Sequence, residues 1–440
     1  LEKSVELKSH AKSSVFEKEQ VCVVETEEKV KYFIMTGFAI ILLLSSFLFN
    51  HPSEIVQGFL DIVVSPSILV SDYMVIGNVG ASFFNAGILM LLSIYLAYKN
   101  KVNMNGPIMA AAFTVAGFAL FGKNIFNIWP VIIGVYLRSL YAKEKFSKFI
   151  LPALFGTALG PLVSQVSFGY DLGHIPAILL GCAIGVSAGF LLPPLANHFI
   201  KFHQGFNLYN IGFTCGIVGM LFMAFFRSFD LENPATLIVA EGFNKTFTIY
   251  LSLFFGIMLI AGFFSNNRSF KRYSWVLKHS GRLVSDFVSL NGFGLSLINM
   301  ALLGYLSMGY VLIVGGELNG PIIGGIFTIV GFGAFGKHTK NVLPLFLGVY
   351  LASLFQIWDA NSTGALLAAL FGTTLAPIAG AYGWSFGIIA GIVHMTMVMN
   401  VGFLHGGMNL YNNGFSGGFV AAILTPLFDS LNRFKGDAES

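Results

Sequence analysis

The chain has 440 residues, of which 55% are hydrophobic, 15% aromatic and 10% charged, with a formal net charge of +4. A water-soluble fold of this length cannot carry so apolar a composition, so the solvent of the fold is lipid, and nucleic acid binding has no support. Cys22, Cys182 and Cys215 are scattered, two of them in apolar stretches, and point to neither a disulfide framework nor a thiolate metal site.

Residues 1–30 mix Lys and Glu with Ser, lack apolar periodicity and lack a signal-peptide core, which predicts a solvated cytoplasmic tail. A first membrane repeat follows over 31–228. Its apolar segments lie near 32–49, 78–98, 106–122, 126–142, 149–168, 174–196 and 206–226, most of them close to the roughly 20 residues a helix needs to cross about 30 Å of hydrocarbon. An outward-facing linker occupies 229–245, the same pattern returns over a second repeat at 246–427, and 428–440 forms a second cytoplasmic tail. Amphipathic stretches, Glu54 to Met74 and Ser269 to Leu290, precede the second segment of each repeat and are expected along the interface.

The duplication is direct. A shift of 214 positions aligns Asn105-Gly106-Pro107-Ile108 with Asn319-Gly320-Pro321-Ile322, Phe121-Gly122-Lys123 with Phe335-Gly336-Lys337, and Gly134-Val135-Tyr136-Leu137 with Gly348-Val349-Tyr350-Leu351. Between these anchors about half the positions are identical, beyond what shared apolar composition produces. Backward, the shift pairs Asp72 with Asp286 and Asn85 with Asn299; forward, with small changes of offset, Ala153 to Thr157 recurs as Ala369 to Thr373, and His203 to Phe213 as His405 to Phe415.

Basic residues set the orientation. With the N-terminal tail inside, the loop His51 to Val75 faces outward and holds no Lys or Arg, whereas its homologue delivers Arg268, Lys271, Arg272, Lys278 and Arg282 to the cytoplasm. Opposite bias in related units predicts an inverted repeat. The expected fold is an all-α polytopic membrane protein of two inverted repeats, each of about seven membrane segments, in which the Asn-Gly-Pro openings begin either full helices or re-entrant half helices.

Two paired motifs can contact a solute. His203, Asn207, Tyr209 and Asn210, with His405, Asn409, Tyr411 and Asn412, form polar, Gly-broken openings to apolar helices, where free amides and side chains can hold a carbonyl or anion or simply cap the helix. Asn105 through Lys123, and Asn319 through Lys337, end Gly-rich helices in a lysine that either lines an aqueous path or snorkels to headgroups. Asp72 and Asp286 are the repeated acids, as coupling groups or as N-caps. Asn85 and Asn299 either join helices or meet substrate.

The Asn-Gly-Pro, Phe-Gly-Lys and Asn-Leu-Tyr-Asn-x-Gly-Phe elements, spread over nearly the whole chain, resemble the prokaryotic membrane proteins grouped as domain of unknown function 1576, a resemblance that implies no established activity. Gly205 to Gly216 and Gly407 to Gly418 are also similar to urea transporters, whose inverted halves place helix ends at a central pore. The seven-plus-seven arrangement is similar to the nucleobase and sulfate transporter class.

The expected function is a channel or transporter for a small polar or anionic solute, with its path between the repeats. A proton- or ion-coupled carrier using Asp72 or Asp286, an intramembrane enzyme using His203 and His405, and a non-transporting scaffold are the alternatives. No enzyme activity, cofactor or metal is expected. The inner cell membrane, with both termini cytoplasmic, is the expected location, and a homo-oligomer is compatible with it.

Overall fold

The computed structural model describes residues 23–355 and 357–438, with side chains as far as Leu431. Most of the N-terminal tail, Cys22 and the side chains beyond Leu431 therefore lie outside what is described. Among the described residues the fold is helical without named strands, and ten helices are long and apolar enough to cross a membrane. The protein is a multi-pass helical membrane protein. Its long helices expose large apolar side chains such as Leu48, Leu179 and Leu253, as lipid-facing surfaces require.

The first repeat comprises α1 (Glu28–Phe49), the amphipathic α2 (Pro52–Val63), α3 (Val79–Lys99), α4 (Gly106–Phe118), α5 (Ile128–Tyr141), the broken α6 (Phe146–Gly169), α7 (His174–Phe199) and α8 (Asn210–Arg227). The second comprises α9 (Asn244–Ser265), α10 (Phe293–Ile313), α11 (Gly320–Phe332), α12 (Thr339–Phe355), α13 (Thr363–Tyr382), α14 (Trp384–His405) and α15 (Asn412–Ala438). All seven expected segments are thus present in each repeat. The amphipathic stretches differ, because Ser269 to Leu290 holds only the single turns Tyr273–Val276 and Phe287–Asn291 where α2 is a continuous helix. Three basic residues and a left-handed Arg272 interrupt it.

The pairs α4 and α11 sit at the centre. Each has 13 residues, a length of about 20 Å, well short of a bilayer's hydrocarbon. Every residue of both is buried. They pack antiparallel. Gly106 meets Ala334, Ala110 and Phe113 meet Gly331, Gly117 meets Gly324, and Leu120 meets Gly320. A Cβ on Gly117 would lie 2.5 Å from the Gly324 carbonyl oxygen, so only glycine allows this approach.

The termini of these two helices are exchanged between the repeats. Asn105 and Asn319 cap their own helices through the amides of Ile108 and Ile322. The next amide is taken by the other repeat: Gly106 donates to Asp286 Oδ1 at 2.9 Å, and Gly320 donates to Asp72 Oδ2 at 3.0 Å. Asp72 also accepts from Met74 and Ala240, and Asp286 from Val288 and Ser289. Both acids do cap helices, as expected, but the one-turn helices Tyr73–Ile76 and Phe287–Asn291 instead of α3 and α10.

The linker between the repeats is a strap. Val70 donates to Thr236, Ile238 donates back to Val70, Asp72 donates to Ile238, and Asn233 Nδ2 donates to the Gly406 carbonyl. Val70 is half-buried there. Its equivalent Val284 has no such bonds among the described residues and is 72% exposed.

Candidate functional site at the repeat interface

Helices α8 and α15 meet at their N-terminal ends, where Gly212 faces the Tyr411 side chain and Gly414 faces Tyr209. This contact brings the rings of Tyr209 and Tyr411 to 5.1 Å between centroids. Tyr209 packs edge-on against Phe332 at 4.7 Å, and Tyr411 against Phe118 at 4.6 Å. Phe371 lies against Phe118 and Tyr209, and Phe155 against Phe332 and Tyr411. Each repeat thereby contributes one Tyr and two Phe to a single two-fold aromatic cluster.

A lysine stands at each end of it. Lys123 and Lys337 follow the breaks after α4 and α11, and both are wholly buried, which removes the snorkelling alternative. The loops that carry them are pinned from behind. Asn85 Nδ2 donates at 2.7 Å to the carbonyls of Ala119 and Lys123, and Asn299 Nδ2 at 2.7 Å to those of Gly333 and Lys337. These asparagines join helices, satisfying carbonyls that the breaks leave open.

The two lysines face the same residue types but are engaged differently. Lys337 Nζ lies 4.5 Å from the Tyr209 ring centre, 2.5 Å from Tyr209 Oη and 2.6 Å from Thr373 Oγ1. Lys123 Nζ lies 5.0 Å from the Phe118 ring centre and has no hydrogen-bond partner; Tyr411 Oη, the counterpart of Tyr209 Oη, has none either. Thr157, the counterpart of Thr373, makes the same bond to its own helix, to Leu154, as Thr373 makes to Leu370. Among the described residues neither lysine has an ion-pair partner.

A cavity of about 170 Å³ reaches this cluster from one side. Its wall includes Leu283 and Val284 at the rim and Tyr209, Tyr411, Phe155 and Phe332 at depth. Arg282 flanks the rim, held by its Nε bond to the Gln204 carbonyl and by stacking over Phe206 at 4.5 Å. On the opposite side the equivalent position, Val70, lies under the strap.

Of the residues singled out in the sequence, Lys123, Lys337, Tyr209 and Tyr411 converge here. Asn207 borders them, bonding the Gly414 carbonyl and the amide of Tyr209, and Asn409 bonds the amide of Tyr411 while its Nδ2 is unpartnered. Asn210 lines the cavity as well, and the others are placed elsewhere. His203 and His405 bond Asn210 and Asn412, whose amide groups donate to the carbonyls of Ala196 and Val398 and so tie each polar opening to the preceding helix. Asn105 and Asn319 are helix caps. Asp72 and Asp286 hold the exchanged helix ends, and burial pushes the Asp72 carboxyl up to about 6 against the pull of its amide partners. Phe118, Phe332, Phe155, Phe371, Thr157 and Thr373 were not singled out as site residues, although all six fall in segments that recur between the repeats.

A protein-family model matches residues 51–228 and 265–430, one region in each repeat. The chain belongs to this family, described as a protein of unknown function (DUF1576). Both matched regions of this DUF1576 protein contain the exchanged aspartates, the buried lysines and the paired tyrosines, so the site falls wholly within the family's own segments. No curated protein and no solved structure matches it.

Proposed function

We propose that this protein is a membrane channel or transporter for a small polar or anionic solute, with its path running between two repeats inserted in opposite orientations. The observation that carries this reading is the two-fold cluster of Tyr209, Tyr411, Lys123 and Lys337, which lies beneath a cavity and draws equally on both repeats. Antiparallel packing of the equivalent helices α4 and α11 supports inversion, because inverted repeats are related by a two-fold axis in the membrane plane, which reverses equivalent helices. The basic bias agrees. Arg282 at the cavity rim belongs to the cytoplasmic cluster, and the strap lies on the side without basic residues in His51 to Val75.

In this reading the cavity is a cytoplasmic vestibule, both termini are cytoplasmic, the membrane is the inner cell membrane, and the protein performs no enzymatic step. His203 and His405 each use Nε2 on an asparagine that braces a helix opening, a structural role. The test is flux in proteoliposomes loaded in parallel with urea, glycerol, formate, nitrate and sulfate. Transport of at least one, lost on Lys123→Met, Lys337→Met double substitution with the protein still monodisperse, supports the reading; no flux of any solute above empty liposomes refutes it.

A further inference from the structure

Two wholly buried lysines without a carboxylate partner present an electrostatic problem that the rest of the fold does not solve. An ammonium in a low-dielectric interior requires acceptors for its three protons and a balancing charge. Lys337 obtains two acceptors from Tyr209 and Thr373. Lys123, with the same residue types at equivalent places in Tyr411 and Thr157, obtains none. The nearest repeated acids are no remedy, because Asp72 and Asp286 are held by backbone amides at the exchanged helix ends.

We infer that the solute is a small monovalent anion, and that in this conformation its binding place is the Lys123 end of the cluster, between Lys123 Nζ and Tyr411 Oη. This deepens the transport reading above and rests on it. The Lys337 end supplies the template. There the protein's own oxygens, Tyr209 Oη and Thr373 Oγ1, accept from the ammonium, and they occupy the positions that anion oxygens take at the other end. At the Lys123 end the Lys123 ammonium and the Tyr411 ring both lie against the Phe118 ring, and neither Lys123 Nζ nor Tyr411 Oη has a hydrogen-bond partner. Two unpartnered donors suit an acceptor-only ligand, since a cation would meet like charge and a neutral solute would leave the ammonium unbalanced. Single charge follows from one lysine per end. Small size follows from the cavity that reaches the cluster, about 170 Å³.

Binding and flux are measured on the full chain, in nanodiscs for calorimetry and in liposomes for transport. The probes are sodium nitrate and sodium formate, with sodium gluconate as the ionic-strength control and urea as a neutral solute. Saturable nitrate or formate binding is expected, weakened about a hundredfold by Lys123→Met, largely restored by Lys123→Arg, and weakened about tenfold by Tyr411→Phe. Tyr411→Phe removes a hydroxyl that makes no bond in this structure, so it keeps the measurement decisive if Lys123→Met does not fold.

Absence of anion binding to the wild type, or binding unchanged in Tyr411→Phe and Lys123→Met, overturns the inference. Urea flux without anion binding overturns it while leaving the transport reading standing. Anion binding without flux of any solute upholds the binding site and removes the transport reading.

Discussion

Lys337 Nζ lies 2.5 Å from the hydroxyl oxygen of Tyr209, so a lysine of the second repeat is satisfied by a tyrosine of the first. The equivalent pair, Lys123 and Tyr411, is unbonded. Tyr209→Phe should therefore destabilise the protein by about 1–3 kcal/mol, the cost of orphaning one buried charged donor, while Tyr411→Phe should be close to neutral. Thermal unfolding of both variants in one detergent checks this. Equal losses at the two tyrosines would remove the asymmetry argued for the cluster.

The exchanged caps predict a graded response to substitution. Asp72 accepts from three backbone amides, Met74, Ala240 and Gly320, and so bonds the linker and the second repeat at once. Asp72→Ala is expected to cost more than the roughly 1 kcal/mol of a simple N-cap loss, and to exceed the cost of Asn105→Ala, whose side chain caps only its own helix. Chemical unfolding in detergent ranks the variants; an Asn105→Ala cost equal to that of Asp72→Ala would argue against the exchange as a stabilising device.

Asp72 lies outside the spanning helices, and burial raises its carboxyl from the ordinary 3.8 to about 6. A raised native value means that the folded state holds the proton more tightly than the unfolded chain. Its contribution is complete below the ordinary value and is lost as pH rises through 6. Between pH 7 and pH 5 the wild type should gain about 1 kcal/mol more stability than Asp72→Asn. Paired unfolding curves at the two pH values measure the difference, and parallel responses in the two proteins would contradict the shift.

The strap predicts unequal access to equivalent positions. With a hydrophilic maleimide in detergent, Val284→Cys should react quickly and Val70→Cys slowly. Ile238→Pro removes the amide that donates to the Val70 carbonyl and should accelerate only the Val70→Cys reaction. If Val70→Cys labels as fast as Val284→Cys with the strap intact, the linker does not close that mouth.

The segments, the duplication and four central residues were readable in the sequence because they follow from local properties. Apolar runs mark the helices, and Phe-Gly-Lys and Asn-Leu-Tyr-Asn are short enough to be recognised twice. The roles of Asp72 and Asp286 were less legible, because their partners Gly320 and Gly106 are remote in the chain and the exchange exists only once the repeats have docked. The phenylalanines were hidden for a different reason. Phe118, Phe155, Phe332 and Phe371 are four among 46, and nothing in the composition separates a ring facing a lysine from one packed in the core.

The exchange of helix caps also imposes an order on biogenesis. The carboxylate that receives the Gly106 amide comes 180 residues later in the chain, whereas Asp72 is already present when Gly320 is made. Until the second repeat is made, the Gly106 amide therefore lacks its carboxylate, and Asn105 alone caps that helix end. Translation of the second repeat then completes both units together. A chain ending between the repeats would leave the Gly106 amide without the Asp286 carboxylate.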